Sequence, residues 1–245
     1  MLFSRASALL CILSVSLSSC VSSSRRVTTK RQSLIQRAAA YQLVSLTAHV
    51  PSLKINLRYG TTDNLTKRPL YPHDMPVLLY ANTAERVKVA QAALEARGYG
   101  LLIWDAWRPP EVQRQLYAYG GQTGLFLNPD RGWSRHCGGV SIDATLVDRE
   151  GRELKMPTCF DENLDPALRQ PEMVDGDARY HVTLLHEVMR KAGLVPLPGE
   201  WWHFDDIDFI HHPTRVVWAH ELGLEVHSSA PIGHRAEASS GCSGE

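Results

Sequence analysis

Neither sign of charge predominates in this 245-residue chain, in which 26 Lys and Arg stand against 26 Asp and Glu. Nothing in that balance argues for nucleic acid or an anionic membrane surface as the main partner, so binding must be sought in a local site. Cysteine is scarce, with five in all. If Cys11 and Cys20 belong to a processed N-terminus, Cys137, Cys159 and Cys242 remain, and an odd number cannot complete a disulfide framework. Cys137 and Cys159 could pair in an oxidising compartment, which the sequence leaves open. The N-terminal apolar stretch, Ala8 to Leu17, falls short of the roughly 20 residues that span a bilayer. No internal repeat and no second composition shift divides residues 36–227, so they are read as one domain. What is there suits a globular protein: 44% hydrophobic and 21% charged residues, in a chain long enough for a well-buried core.

Arg5 followed by the Ala8 to Leu17 run and then Ser18, Ser19 and Cys20 has the layout of an export signal. Leu17-Ser18-Ser19-Cys20 is similar to the bacterial lipobox, whose cysteine carries lipid and becomes the mature N-terminus. An ordinary secretory signal with an incidental Cys20 is the alternative, and both readings export the chain. The expected organisation is a lipoprotein signal peptide over residues 1–19, a polar, basic tether over 20–35, the domain over 36–227 and a disordered, Ser- and Gly-rich tail over 228–245. It implies a membrane-anchored lipoprotein at the periplasmic face of a bacterial envelope.

Within the domain, Leu53, Ile55, Leu57 and Tyr59 alternate with polar residues, the period of a strand with one apolar face. Asn82 with Glu85 three residues on starts a helix that runs to Ala96 and stops at Gly98. Leu101 to Trp104 reads as a buried strand ended by Arg108-Pro109-Pro110, and a second helix starts near Glu111. Val140 to Val147 alternates again, and Tyr180 to Ala192 has helical spacing. Interspersed helices and strands with short connections predict an α+β fold, a mainly antiparallel sheet with flanking helices.

Two segments combine backbone-permissive residues with metal-ligating ones. They are Ser134-Arg135-His136-Cys137-Gly138-Gly139-Val140-Ser141-Ile142-Asp143 and Gly199-Glu200-Trp201-Trp202-His203-Phe204-Asp205. Two imidazoles and a carboxylate with one open position are the usual donors of a catalytic zinc site, so His136, Asp143 and His203 are the candidate ligands of one Zn²⁺ per chain. Two neutral His and one Asp leave such a cation net positive, which lowers the pKa of a polarised water to about 7. Glu200 is then the candidate for moving the proton. On a regular strand Glu200 and His203 face opposite sides, so they share a pocket only if a bulge or turn intervenes. The bland alternatives are Trp201 and Trp202 as sheet packing, Cys137 as packing, and His181, His186, His211 and His212 as surface residues.

The pattern S-x-H-x-x-G-x-x-x-D followed by E-x-x-H resembles the zinc D,D-peptidases of the D-alanyl-D-alanine dipeptidase family, related to D,D-carboxypeptidases and the hedgehog signalling domain. Leu57-Arg58-Tyr59, Asp63-Asn64-Leu65-Thr66, Gly98 to Asp105 and Trp107-Arg108-Pro109 extend the likeness over about residues 42 to 210. The resemblance implies a hedgehog/D,D-peptidase-like fold, with His136, Asp143 and His203 as metal ligands and Glu200 as general base and acid. It implies Arg108 as the group that stabilises the oxyanion, against a purely structural ion pair of Arg108 with Asp105 or another acid. Asp161 matches the position that receives the substrate amino group, and Ser134 helps hold substrate. The implied activity is hydrolysis of D-Ala-D-Ala. The rivals are the same chemistry on longer murein peptides, and a noncatalytic zinc-stabilised cell-wall-binding lipoprotein. Ser141 where the family usually has Ala, and Pro157 where relatives often have Gly, leave the substrate choice open.

Overall fold

The structure is a computed structural model that describes residues 32–162, 174–212 and 215–226. The expected signal peptide, Cys20, most of the expected tether and the C-terminal tail lie outside the described residues.

A helix over residues 32–39 (α1) opens the described chain and crosses the boundary expected between tether and domain, with Leu34 and Ala38 buried. β1 (Leu43–Ser45) and a single helical turn, α2 (Leu46–His49), follow. β2 (Lys54–Ile55), β3 (Leu78–Tyr80), α3 (Ala81–Glu95), β4 (Gly100–Asp105) and α4 (Pro110–Gly120) come next. β5 (Ser141–Val147), α5 (Gly176–Lys191), β6 (Leu194–Leu197) and β7 (Glu200–Asp206) complete the set. β1 and β3 form a small antiparallel pair, while the main sheet has the order β2-β4-β5-β7-β6. Among the described residues only its β2–β4 pairing is parallel. The expected α+β architecture with a mainly antiparallel sheet is the one observed.

Every residue of β4 and β5 is buried, so these central strands are covered on both faces. That is why Leu101 to Trp104 reads as a continuous apolar run rather than an alternation. On β5 the pleat sends Ile142, Ala144 and Leu146 to one side, where they join the main core with Val182, Leu185 and Met189 of α5. Ser141 and Asp143 point to the other side. A second cluster joins the two ends of the described chain: Leu34, Ala38 and Leu43 meet Trp107, Val217, Ala219 and Leu222. The Trp107 indole N–H donates to the Val217 carbonyl at 3.1 Å, and Arg37 Nε donates to Leu222 O at 2.8 Å.

The strand expected over Leu53 to Tyr59 is shorter than its alternation implies. Only Lys54–Ile55 pairs with β4, and Arg58–Gly60 turns as a short 3₁₀ segment. The turn lets Tyr59 enter the core, where it is 1% exposed. The apolar period reports burial of every second side chain, and tertiary packing meets that requirement here without a ladder partner. The helix read from Asn82 begins at Ala81 with no side-chain cap.

Candidate active site and metal centre

Short local devices deliver the first candidate ligand. Ser134 accepts a bond from the His136 amide at 3.3 Å and caps the 3₁₀ turn Arg135–Gly138. The chain then reverses into β5 through Gly139 at φ 71°. A Cβ there would lie 2.6 Å from the Leu43 side chain and 3.2 Å from the Tyr80 amide nitrogen, so only glycine fits. Asp143 of β5 and His203 of β7 are direct register partners across the sheet. Glu200 opens β7, where the β6–β7 register shifts between Pro196 and Leu197. That irregularity meets the condition set by the odd spacing, and Glu200 and His203 line one cavity.

His136 Nε2, Asp143 Oδ1 and His203 Nδ1 converge. His136 Nε2 is 3.2 Å from Asp143 Oδ1 and 3.1 Å from His203 Nδ1, and His203 Nδ1 is 3.0 Å from Asp143 Oδ1. Donors held at 2.0–2.1 Å from a tetrahedral cation stand about 3.3 Å apart, so the three could hold a metal ion with little adjustment. The remaining ring nitrogens face acceptors: His136 Nδ1 lies 2.7 Å from Ala106 O, and His203 Nε2 lies 3.0 Å from Asp205 Oδ1. Each outer acceptor directs the opposite nitrogen, with its lone pair, to the centre. Burial opposes charge on His203, but its hydrogen bonds to Asp143 and Asp205 carry it up to about 10. A bound cation therefore displaces a proton. Burial likewise opposes ionisation of Asp143, and its two imidazole neighbours hold it well below the usual carboxylate range.

The cavity is about 680 Å³ and brings Ser134, Glu200, Arg108 and Asp161 to the same space as the three donors. Burial raises Glu200 above its ordinary value, opposed by His203. Arg108 is 5% exposed, and the ion pair weighed as its structural alternative does form. Its Nε and Nη2 both reach Asp105 Oδ2 at 2.8 Å, and Nη1 donates to Gln113 Oε1 at 2.9 Å. The pairing does not withdraw it from the cavity, because Nη2 also stands 3.4 Å from Asp143 Oδ2. The Tyr59 ring packs under the guanidinium at 4.8 Å, and the Tyr59 hydroxyl donates to Asp161 Oδ1 at 3.0 Å. Asp161 is 4% exposed and adopts a left-handed φ of 56°, an uncommon conformation for a residue with a side chain. Burial raises its carboxyl to about 7 against the pull of Arg108, the Leu65 amide and Tyr59.

Several participants were not read from sequence. Asp205, Gln113 and Tyr59 sit within the quoted motifs or beside them, but nothing in their spacing shows that they back the candidate ligands or Arg108, whereas Asp105 was read only as a structural partner of Arg108. Only the rule that buried imidazoles and guanidinium groups need acceptors could have prompted a search. His186, expected at the surface, is 5% exposed with Nε2 at 2.8 Å from Trp201 O. Its place on the inner stripe of α5 explains the difference. Cys137 is a free, buried thiol that burial pushes up to about 12, so the Cys137–Cys159 disulfide does not form. Both sheet-packing and site readings hold for the tryptophans: Trp201 packs edge-on to Trp104, and Trp202 lines the cavity.

A family model described as D-ala-D-ala dipeptidase matches residues 39–217, well over half of the chain. The chain belongs to the D-Ala-D-Ala dipeptidase family. The D-alanyl-D-alanine dipeptidase of Escherichia coli K12 is 30% identical over 164 residues, covering 67% of this chain and 84% of the relative. That of Enterococcus faecalis V583 is 25% identical over 170 residues (62% and 84%), and that of Streptomyces coelicolor A3(2) is 27% identical over 183 residues (63% and 86%). As a member of this dipeptidase family the chain is a peptidase, and its substrate is a small peptide.

Proposed function

We propose that this dipeptidase-family protein is an exported zinc enzyme that hydrolyses D-alanyl-D-alanine to D-alanine. The observation that carries the reading is the convergence of His136, Asp143 and His203 on a cavity that also holds Glu200, Arg108 and the buried carboxyl of Asp161. Zinc, when bound, would act as a Lewis acid that polarises the scissile carbonyl and acidifies water. Glu200 accepts the proton of the attacking water and passes it to the departing amine, a role favoured by the upward displacement that burial gives its carboxyl. Arg108, fixed by Asp105 and Gln113, presents positive charge where the oxyanion develops. Asp161 receives the substrate ammonium, and Ser134 lines the same space. The retention of both Glu200 and Arg108 at the cavity argues against a noncatalytic zinc-stabilised role.

Free dipeptide is favoured over a longer chain because the anionic anchor is closed. Asp161 is buried and held by the Tyr59 hydroxyl and the Leu65 amide, so the carboxyl is enclosed by described residues rather than open to solvent. The size of the cavity supports a second reading, in which a longer murein peptide is the substrate. At about 680 Å³ it falls in the range that accepts drug-sized ligands and exceeds what a dipeptide fills. The deciding assay incubates the purified soluble domain, with and without a chelator, with D-Ala-D-Ala, L-Ala-L-Ala and a murein pentapeptide, and measures released alanine. Chelator-sensitive release from D-Ala-D-Ala alone is expected. Cleavage of the pentapeptide alone overturns the dipeptide assignment. Export and lipid anchoring at Cys20, with the enzyme in the cell envelope, are proposed from Arg5, the Ala8 to Leu17 run and Leu17-Ser18-Ser19-Cys20, which support that reading. Cys20→Ala should move it from the membrane to the soluble fraction.

A further inference from the structure

Asp205 touches no substrate position that the mechanism needs, yet three donors converge on it. His203 Nε2 lies 3.0 Å from its Oδ1, the Ser141 hydroxyl donates to the same oxygen, and Arg135 Nη1 donates to Oδ2 at 3.0 Å. Arg135 is itself fixed, because Nε and Nη2 donate to the carbonyls of Phe209 and Ile210 at 3.1 and 2.6 Å. Asp205 is 6% exposed, Ser141 is fully buried, and Asp205 also lines the cavity.

We propose that Asp205, oriented by Ser141 and Arg135, is the positioning residue that forces His203 to bind metal through Nδ1. A carboxylate only accepts, so the imidazole nitrogen facing it must carry the proton, and the lone pair is left on the nitrogen that faces Asp143 and His136. The arrangement gives a particular answer for an amide in place of the carboxylate. Asn at this position has one acceptor and one donor. If its oxygen took the Oδ1 position, its NH₂ would face the permanently charged guanidinium of Arg135, donor against donor. It turns instead, giving its oxygen to Arg135 and its NH₂ to His203 and Ser141. The serine hydroxyl can rotate to accept. The imidazole can accept on Nε2 only by placing its proton on Nδ1, the nitrogen the metal requires. The same reversal of tautomer is the accepted reason that Asp→Asn disables a Ser-His-Asp triad. Truncation to Ala has the opposite character, because the position opens on the cavity and water can accept from Nε2–H.

The inference rests on the metal reading of the proposed function, and the test separates the two. Zinc affinity of the full chain is measured by chelator competition for wild type, Asp205→Ala and Asp205→Asn, and the visible absorption of the cobalt(II)-substituted proteins is recorded. Asp205→Ala should weaken zinc about tenfold, and Asp205→Asn about a hundredfold or more with loss of the four-coordinate cobalt bands. A role in packing alone predicts the reverse order, since Asn matches Asp in shape, and Asn binding zinc as well as Ala overturns the proposal. A second measurement does not depend on the folding of the Asn variant. Formate, an acceptor-only carboxylate, should restore zinc affinity to Asp205→Ala while formamide should not, and equal effects of the two overturn the assignment. Wild-type protein that takes up no stoichiometric zinc or cobalt defeats the metal reading itself, and this inference with it.

Discussion

The buried carboxyl of Asp161 supports a prediction in which a stability effect and a catalytic effect share one origin. Its rise from an ordinary 3.8 to about 7 corresponds to about 4 kcal/mol of charge destabilisation, and at 4% exposure solvent screening removes little of it. The folded state then binds this proton more tightly than the unfolded state does. Its contribution is favourable below about pH 4, is lost progressively as pH rises toward 7, and stands as the full penalty above 7. A substrate ammonium supplies the missing cation, so the empty pocket is destabilised in the form that binds substrate best. The kcat/KM for free D-Ala-D-Ala should therefore climb through about pH 7, and N-acetyl-D-Ala-D-Ala, which lacks the ammonium, should be a poor substrate. Asp161→Asn removes one partner of a buried charge pair, a loss of about 2–5 kcal/mol, or about 30- to 5,000-fold in kcat/KM. The same variant should flatten the decline in chemical-denaturation stability between pH 4 and 8 measured on metal-free protein. Glu200 also titrates in the cavity, and any limb that it contributes persists in Asp161→Asn. Initial rates of D-alanine release from pH 5 to 9 on both proteins and both substrates provide the test. An unchanged limb near pH 7 in Asp161→Asn, or equal turnover of the acetylated peptide, refutes the reasoning.

Other perturbations address separate parts of the site. Glu200→Gln should retain zinc to within a few-fold by metal analysis while kcat falls about 10²- to 10⁴-fold, because a proton carrier is lost without losing a ligand. Arg108→Lys cannot reproduce the fork that reaches Asp105 and Gln113 together, and a loss of about 10²- to 10³-fold in kcat is expected in steady-state assays. Chelation should lower the melting temperature as well as activity, since free metal at a thousand times its Kd stabilises the native state by about 4 kcal/mol. Calorimetry with and without metal reads that difference. Trp201→Ala should destabilise the fold by about 3–5 kcal/mol in urea titration, because a fully buried indole packed on Trp104 leaves a cavity the sheet cannot close.

The parts of this fold legible in the sequence are those governed by local periodicity. α3 and α5 carry apolar residues at helical spacing, β4 lies in an apolar run bounded by Gly98 and by Pro109-Pro110, and β5 lies in the Val140 to Val147 alternation, so the existence and type of each follow from a local pattern of burial. The Leu53 to Tyr59 alternation misleads for a reason of the same kind. It records which side chains are buried but not which backbone groups find a ladder, and Tyr59 is buried by a turn. In the site, the donors His136, Asp143 and His203 are distinguished by their chemistry and by Gly138-Gly139 between the first two. The odd separation of Glu200 from His203 even announces an irregular β7. The acceptors behind these groups carry no such mark. Asp205 looks like any other acid until Ser141 and Arg135 are seen to point at it.

By itself, then, the sequence determined the inventory: the donor types, the glycine that lets the chain reverse before β5, and the elements that carry each group. These are short-range matters, set by side-chain chemistry and by backbone sterics over a few residues. The tertiary structure alone decided which nitrogen of each imidazole faces the centre, that Arg108 serves Asp105 and the cavity together, and that Asp161 is buried deeply enough to titrate near neutrality. Each of those depends on groups distant in the chain meeting where water is excluded. Hydrogen-bond direction and the cost of charge are set by that meeting, and no local pattern of residues encodes it.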